Sequence, residues 1–263
     1  MNNLFYCEDI AKNYEELPVV QDINIELPAG GFISLLGPSG VGKTTLFNIL
    51  SGVDKPDTGK VFLDGEEITG VSGKVSYMLQ KDMLLEYRTV IDNVILPLLL
   101  HGEKKDKARG YASGFFSKFG LSGYEKKYPA ELSGGMRQRA ALLRTCMNLS
   151  RTPQCDTKVP FLKRSSVILL DEPFSALDAI TRHTMQIWYA GIASEMKFST
   201  LFITHDVEEA LALSDTVYIM NGKPGHITHK IDVSPHRPRE ADFSVTREFA
   251  EQKRFILKAI TGA

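Results

Sequence analysis

The chain of 263 residues is short of several things, and each shortage excludes something. It has only three cysteines, Cys7, Cys146 and Cys155, with no pairing in their spacing. That supplies neither a disulfide framework nor a zinc site and fits a reducing cytosol. No apolar run is long enough to cross a bilayer. The most apolar one, residues 94–100, is interrupted by Pro97 and falls far below the ~20 residues a spanning helix needs. Glu8, Asp9 and Lys12 come early, so no secretory leader is expected. Excess charge of either sign is missing: 31 Lys and Arg stand against 32 Asp and Glu. A net charge of −1 offers nucleic acid no bulk attraction. Internal repeats and low-complexity segments are absent as well. What is left has the apolar content of a globular chain, with length for one large domain or two modest ones.

Short apolar runs are plentiful. Residues 4–10 and 19–27 alternate as half-buried strands do, and Lys60 to Leu63 adds another strand. Phe32 to Leu36, Val75 to Leu79, Val167 to Leu170, Thr200 to Ile203 and Thr216 to Met220 also have strand texture. Those at 167 and 200 lead into polar groups and a helix, as parallel strands buried on both faces do. Residues 86–145 instead have helix periodicity and many charges, which predicts a separate helical subdomain. Val245, Phe249, Ile256 and Ile260 recur at helical spacing and predict an amphipathic tail over 236–263, behind a main domain of 1–235.

The rest of the chain is organised around Gly37-Pro38-Ser39-Gly40-Val41-Gly42-Lys43-Thr44-Thr45, between a strand and a helix. Strand, glycine-rich turn and helix are the context of a phosphate-binding loop. The turn aims backbone N–H groups at an anion, and the helix adds its positive end. Lys43 can reach the β- and γ-phosphates of a nucleotide, and the Thr44 hydroxyl can ligate Mg²⁺. A second element is Asp171-Glu172 at the end of the 167–170 strand. Asp171 is placed to serve the Mg²⁺, and Glu172 to take a proton from an attacking water. A third is Leu132-Ser133-Gly134-Gly135-Met136, where Ser133 caps a helix. Its bare N-terminus can hold an anion or can be a plain capped helix.

With these residues on the page the chain resembles the ATP-binding cassette family from residue 4 to about 232. Gly37 to Thr44 match its Walker A loop, Leu132 to Met136 with Gln138 its signature, and Val167 to Asp171 its Walker B strand. Glu172 follows, then the D-loop Ser175 to Asp178 and the switch histidine His205. Gln80 stands where the Q-loop glutamine belongs, and Tyr14 where an aromatic ring stacks on adenine. The resemblance implies an α/β fold: a P-loop NTPase with a RecA-like mixed sheet, an antiparallel β subdomain and an inserted helical subdomain. It implies ATP and Mg²⁺ as cofactors, with Thr44, Asp171 and Gln80 at the metal. It implies a head-to-tail dimer with a second copy or a related cassette. There Ser133, Gly134, Gly135 and Asp178 of one chain close on nucleotide held by the partner's loop. Glu172 would polarise the water, His205 would bond the γ-phosphate and Gln80 would report nucleotide state. Asp206 and Glu209 are expected to form a capping box just after His205.

Residues 80–94 and the stretch from Asp171 to Arg182 are similar to importer cassettes of the nitrate, sulfonate and taurine group. Glu86 and Tyr87 replace the proline and tryptophan usual there. This resemblance implies membrane permease subunits as partners, indirectly an extracytoplasmic solute-binding protein, and a peripheral place on the cytoplasmic face of the membrane. Between the signature helix and Walker B, about fifteen additional residues, near 151–165, form an expected exposed loop. It carries four Lys or Arg against one Asp, and reads as a surface insertion or a contact to a partner subunit or anionic headgroups. An exporter or lipoprotein-release cassette is the alternative within transport. A nucleic-acid-associated cassette would need long coiled-coil arms, which 86–130 cannot supply. Nucleotide binding without turnover is disfavoured by the presence of Gln80, Glu172 and His205.

Overall fold

The computed structural model describes residues 3–150, 166–237, 239 and 243–261. The expected loop at 151–165 lies outside the described residues. The chain begins with long strands β1 (Asn3–Tyr14) and β2 (Leu17–Pro28). Then come β3 (Phe32–Leu36), helix α1 (Lys43–Leu50), β4 (Thr58–Leu63), β5 (Glu66–Glu67) and β6 (Ser76–Met78). Four helices follow: α2 (Val90–Val94), α3 (Leu96–Leu100), α4 (Lys105–Phe116) and α5 (Gly134–Met147). The remainder alternates, with β7 (Val167–Asp171), α6 (Ala179–Glu195), β8 (Ser199–Thr204), α7 (Val207–Leu213), β9 (Thr216–Asn221), β10 (His226–Asp232) and α8 (Arg247–Thr261).

Two sheets organise these elements. An antiparallel sheet runs β2-β1-β4-β5, and a mixed six-stranded sheet runs β10-β9-β3-β8-β7-β6. In the second, β9, β3, β8, β7 and β6 are parallel, and β10 alone is antiparallel. The parallel strands read as unbroken apolar runs because both their faces are covered. Along β7, Ile168 and Leu170 enter a core shared with α2 to α6, while Val167 and Leu169 enter a core shared with α1 and the antiparallel sheet. Phe202 and its neighbours Leu201 and Ile203 on β8 divide the same way.

The tail forms α8, with Phe249 and Ile256 buried against α7, β9 and Val233 and Ile260 packed beside them. Val245 does not share that face. It precedes the helix in a 3₁₀ turn and is 82% exposed, since the apolar spacing begins only at Phe249.

One glycine fixes how the sheet meets the first loop. A Cβ on Gly37 would lie 2.2 Å from the Met220 carbonyl oxygen on β9, a backbone atom that cannot swing aside. Gly37→Ala is therefore expected to destabilise the chain by about 2–3 kcal/mol. Thermal unfolding reads this as a fall of about 5–10 °C, and an unchanged melting temperature would contradict the close approach.

Candidate functional site

Strands β3, β8, β7 and β6 are neighbours and point the same way, so the residues after them collect at one edge. Gly37 follows β3, His205 follows β8, Glu172 follows β7, and Gln80 lies two residues beyond β6. Ligands in open parallel sheets bind outside these carboxyl ends.

The loop after β3 leads into α1 through Gly42, whose φ of 104° is left-handed and available to glycine at little cost. Pro38, Ser39 and Gly40 are exposed, Val41 is buried in the core below, and Thr45 is half-buried on α1. Lys43 is buried, and its Nζ donates to the carbonyls of Gly37 and Pro38 at 2.8 Å each. Burial lowers the Lys43 pKa, and the charges of Glu172 and Asp171 oppose the shift. The Thr44 hydroxyl donates to Asp171 Oδ2 at 3.2 Å, bringing Walker A and Walker B together. Burial raises the Asp171 pKa; the Thr44 hydrogen bond works against it and the neighbouring Glu172 adds to it. A buried carboxylate short of positive charge beside a hydroxyl is a donor set suited to a hard cation that keeps waters and phosphate oxygens as its other ligands. Among the described residues no cluster of three His, Cys, Asp or Glu side chains is placed to hold a metal.

Glu172 is the hub of the second half. Its backbone N–H donates to the Ile203 carbonyl at 3.1 Å, so the β7–β8 ladder runs one residue past the strand. Its φ of 45° is left-handed, a strained conformation for a glutamate and of the kind held at functional sites. Gln80 Nε2 donates to Oε2 at 2.9 Å, and His205 Nδ1 lies 3.3 Å from Oε1. Gln80, Glu172 and His205 are thus gathered around one carboxylate. That carboxylate adjoins the pair formed by Thr44 and Asp171. A group of this kind can orient a water and accept its proton.

The loop carrying His205 is built from its cap. Asp206 Oδ1 accepts from the backbone N–H groups of Glu208 at 2.8 Å and Glu209 at 3.3 Å, starting α7. The expected reciprocal half of the capping box does not form. Glu209 is buried toward α6, where its carboxylate accepts from Gln186 Nε2 at 2.9 Å, and burial raises its pKa.

The signature residues stand apart. Ser133 Oγ accepts from Met136 N at 3.4 Å and caps α5, leaving Ser133 and Gly134 exposed and Gly135 partly so. Among the described residues no hydrogen bond joins Ser133, Gly134 or Gly135 to the loop 37–45. They sit instead beside the turn before α6: a Cβ on Gly134 would lie 3.5 Å from Leu177 Cδ2, and one on Gly135 3.2 Å from Thr181 Cγ2. Asp178 is exposed and caps α6 through Thr181 N at 3.0 Å. Tyr14 ends β1 with its ring 45% exposed; its hydroxyl donates to Asp54 at 2.8 Å and lies beside Thr45.

Two sets of contacts carried no signal in the sequence. The Tyr77 hydroxyl, on β6, approaches Asp171 Oδ2 at 3.4 Å, yet Tyr77 reads as an ordinary strand residue. The loop after Gln80 is tied to α5: Arg137 donates to Asp82 at 2.8 Å and to Glu86 at 2.7 Å, and Arg144 donates to the carbonyls of Asp82 and Met83. Asn93 holds the same loop through Leu85 N at 2.6 Å. Met83 and Tyr87 project from it, 54% and 75% exposed.

The fold is that of a P-loop nucleoside triphosphatase. Residues 20–156 match the family model of the ABC transporter, and the chain belongs to that family as an ATP-hydrolysing, ATP-binding cassette. It is 37% identical over 259 residues to the formylaminopyrimidine import ATP-binding protein ThiZ of Halalkalibacterium halodurans, covering 98% of this chain and 94% of the relative. It is 37% identical over 230 residues to the aliphatic sulfonates import ATP-binding protein SsuB of Bacillus thuringiensis, covering 87% and 84%. Among solved structures it is similar to a dimeric post-hydrolysis ATP-binding cassette bound to ADP and Pi, with a TM-score of 0.69, 25% identity and coverage of 88% and 100%.

Proposed function

We propose that this chain powers a membrane importer of a small solute, of the nitrate, sulfonate, taurine or a related type, by hydrolysing ATP between two copies of itself. The observation that carries the chemistry is the convergence of Gln80 and His205 on Glu172, next to Thr44 and Asp171. The import direction is supported by the relatives' names and by the resemblance at residues 80–94. No helix among the described residues is long and apolar enough to cross a membrane. As the family resemblance implies, the chain would act at the cytoplasmic face through permease subunits, with a solute-binding protein on the far side. Nucleic acid is not an expected partner.

In this reading residues 37–45 and Lys43 cradle the phosphates, and Tyr14 stacks on adenine. Mg²⁺, when bound, would be held by Thr44, Asp171 and Gln80 and would offset phosphate charge. Glu172 takes the proton of the attacking water, and His205 and Gln80 keep its carboxylate turned toward that water. The exposed Ser133 tip of α5 and Asp178 close over the nucleotide bound by the partner copy. Closure excludes water and strengthens every polar contact to the phosphates. The exposed signature tip, with no hydrogen bond to its own loop among the described residues, makes sense as half of such a shared site.

The permease test is co-expression with a permease subunit of an importer of this group. The two should co-purify, and ATP turnover should rise over that of the cassette alone. Failure of both would overturn the transporter reading. His205→Ala should lower turnover by about a hundredfold or more while ATP binding, followed by a fluorescent nucleotide, is retained.

A further inference from the structure

His205 stays on Glu172 only if its loop is held in place. His205 is 58% exposed, and its contact with Glu172 holds only the ring, not the loop. The loop itself hangs on Asp206, which begins α7, and Asp206 Oδ2 lies 3.9 Å from Arg182 Nη1. The other arm of the same guanidinium, Nη2, donates at 3.0 Å to the carbonyl of Leu177 in the turn before α6. Arg182 Nε is buried with no hydrogen-bond partner, so the fork is held across two loops at a cost in satisfaction. Leu177 in turn rests beside Gly134 at the tip of α5. One planar side chain therefore spans the turn 175–178 and the loop 204–206. It lines the same small pocket as Glu172, His205, Asp206 and Glu209.

A second contact separates this role from simple packing. Gln186 lies one helical turn beyond Arg182 on the same face of α6 and binds the buried Glu209 of α7. Helix α7 is held by this bond and by its apolar face, where Ala210 and Leu211 pack against β9 and α8, with no hydrogen bond from Arg182 among the described residues. Arg182 and Asp206, each about one-third exposed, form a pair of the kind that adds little stability. The arginine fixes where the loop sits rather than whether the helix packs.

We infer that Arg182 is a positioning residue that locks the loop of His205 to the turn before α6 and so holds the imidazole on Glu172. The inference rests on the ATPase reading for its catalytic consequence, but its structural half does not. Both halves are tested on the full chain with Arg182→Gln and the charge-keeping Arg182→Lys. Without nucleotide, hydrogen exchange of amides 204–209 should accelerate about tenfold in Arg182→Gln, with α6 and the melting temperature unchanged. With Mg²⁺ and ATP, kcat should fall about tenfold to a hundredfold while KM stays within about twofold. Arg182→Lys should fall between wild type and Arg182→Gln in both measurements, and it decides the matter if Arg182→Gln does not fold. Unchanged exchange at 204–209 overturns the inference. So does acceleration spread over α6 and over α7 beyond Glu209 with a lower melting temperature, which would mark a merely structural arginine. An unchanged kcat overturns it too. A wild-type chain without ATP turnover would count against the proposed function, and the exchange experiment would still decide for or against the lock.

Discussion

Glu172→Gln is expected to lower ATP turnover by about 10²- to 10⁴-fold, the usual contribution of a positioned general base. The substitution keeps shape. The amide oxygen can still accept from Gln80 Nε2, which bonds Glu172 at 2.9 Å, and the left-handed backbone at this residue is untouched. What is lost is the negative charge and the capacity to take a proton. The same loss removes a repulsion, because Glu172 is one of the groups raising the Asp171 pKa and it stands close to the γ-phosphate in the proposed complex. ATP should therefore bind at least as tightly, and ATP-bound dimers should accumulate. Phosphate release measures the first effect, and size-exclusion chromatography with ATP the second. Wild-type turnover in Glu172→Gln would remove Glu172 from the chemistry.

Lys43→Ala is expected to abolish measurable hydrolysis and to weaken ATP binding by about tenfold to a hundredfold, the value of a charge-assisted contact of ~1.5–3 kcal/mol. Lys43 also donates to the Gly37 and Pro38 carbonyls, so its removal slackens the turn that presents the N–H groups. The folded chain should nonetheless survive. Burial lowers the Lys43 pKa, which means that the native state bears a desolvation cost for this cation. Alanine relieves that cost, and the melting temperature without nucleotide should hold or rise. Isothermal titration with ATP and thermal unfolding separate the two effects. Retained affinity would show that the lysine does not meet the phosphates.

The parallel strands were legible because burial on both faces writes them as runs such as Val167 to Leu170. Strand β10 left no such trace: it is an edge strand, mostly exposed, and its sequence carries no apolar run. β1 and β2 extend past their apolar stretches to Tyr14 and Leu17, where they pair with each other in the open and no core imposes a pattern. Caps were readable at Ser133 and Asp206 because a short side chain bonding two or three residues ahead is a local event. The destination of Glu209 was not, since it depends on α6 lying opposite. The same division runs through the site. Contiguous motifs such as residues 37–45 announce themselves, whereas Gln80 and Glu172, 92 residues apart, meet only because β6 and β7 are neighbours. Tyr77 and Asp82 belong wholly to that second kind.

The arginine ties between the loop of Asp82 and helix α5 give the molecule a lever. Arg137 lies four residues from Ser133 on the same helix, and its guanidinium grips the segment from which Met83 and Tyr87 protrude. A load applied to those two outward side chains has little slack to take up before it reaches the helix, and the near end of that helix, one turn from Arg137, is the glycine tip. The segment that carries the outward-facing Met83 and Tyr87 and the helix that carries the glycine tip are thus joined by side chains from both Arg137 and Arg144.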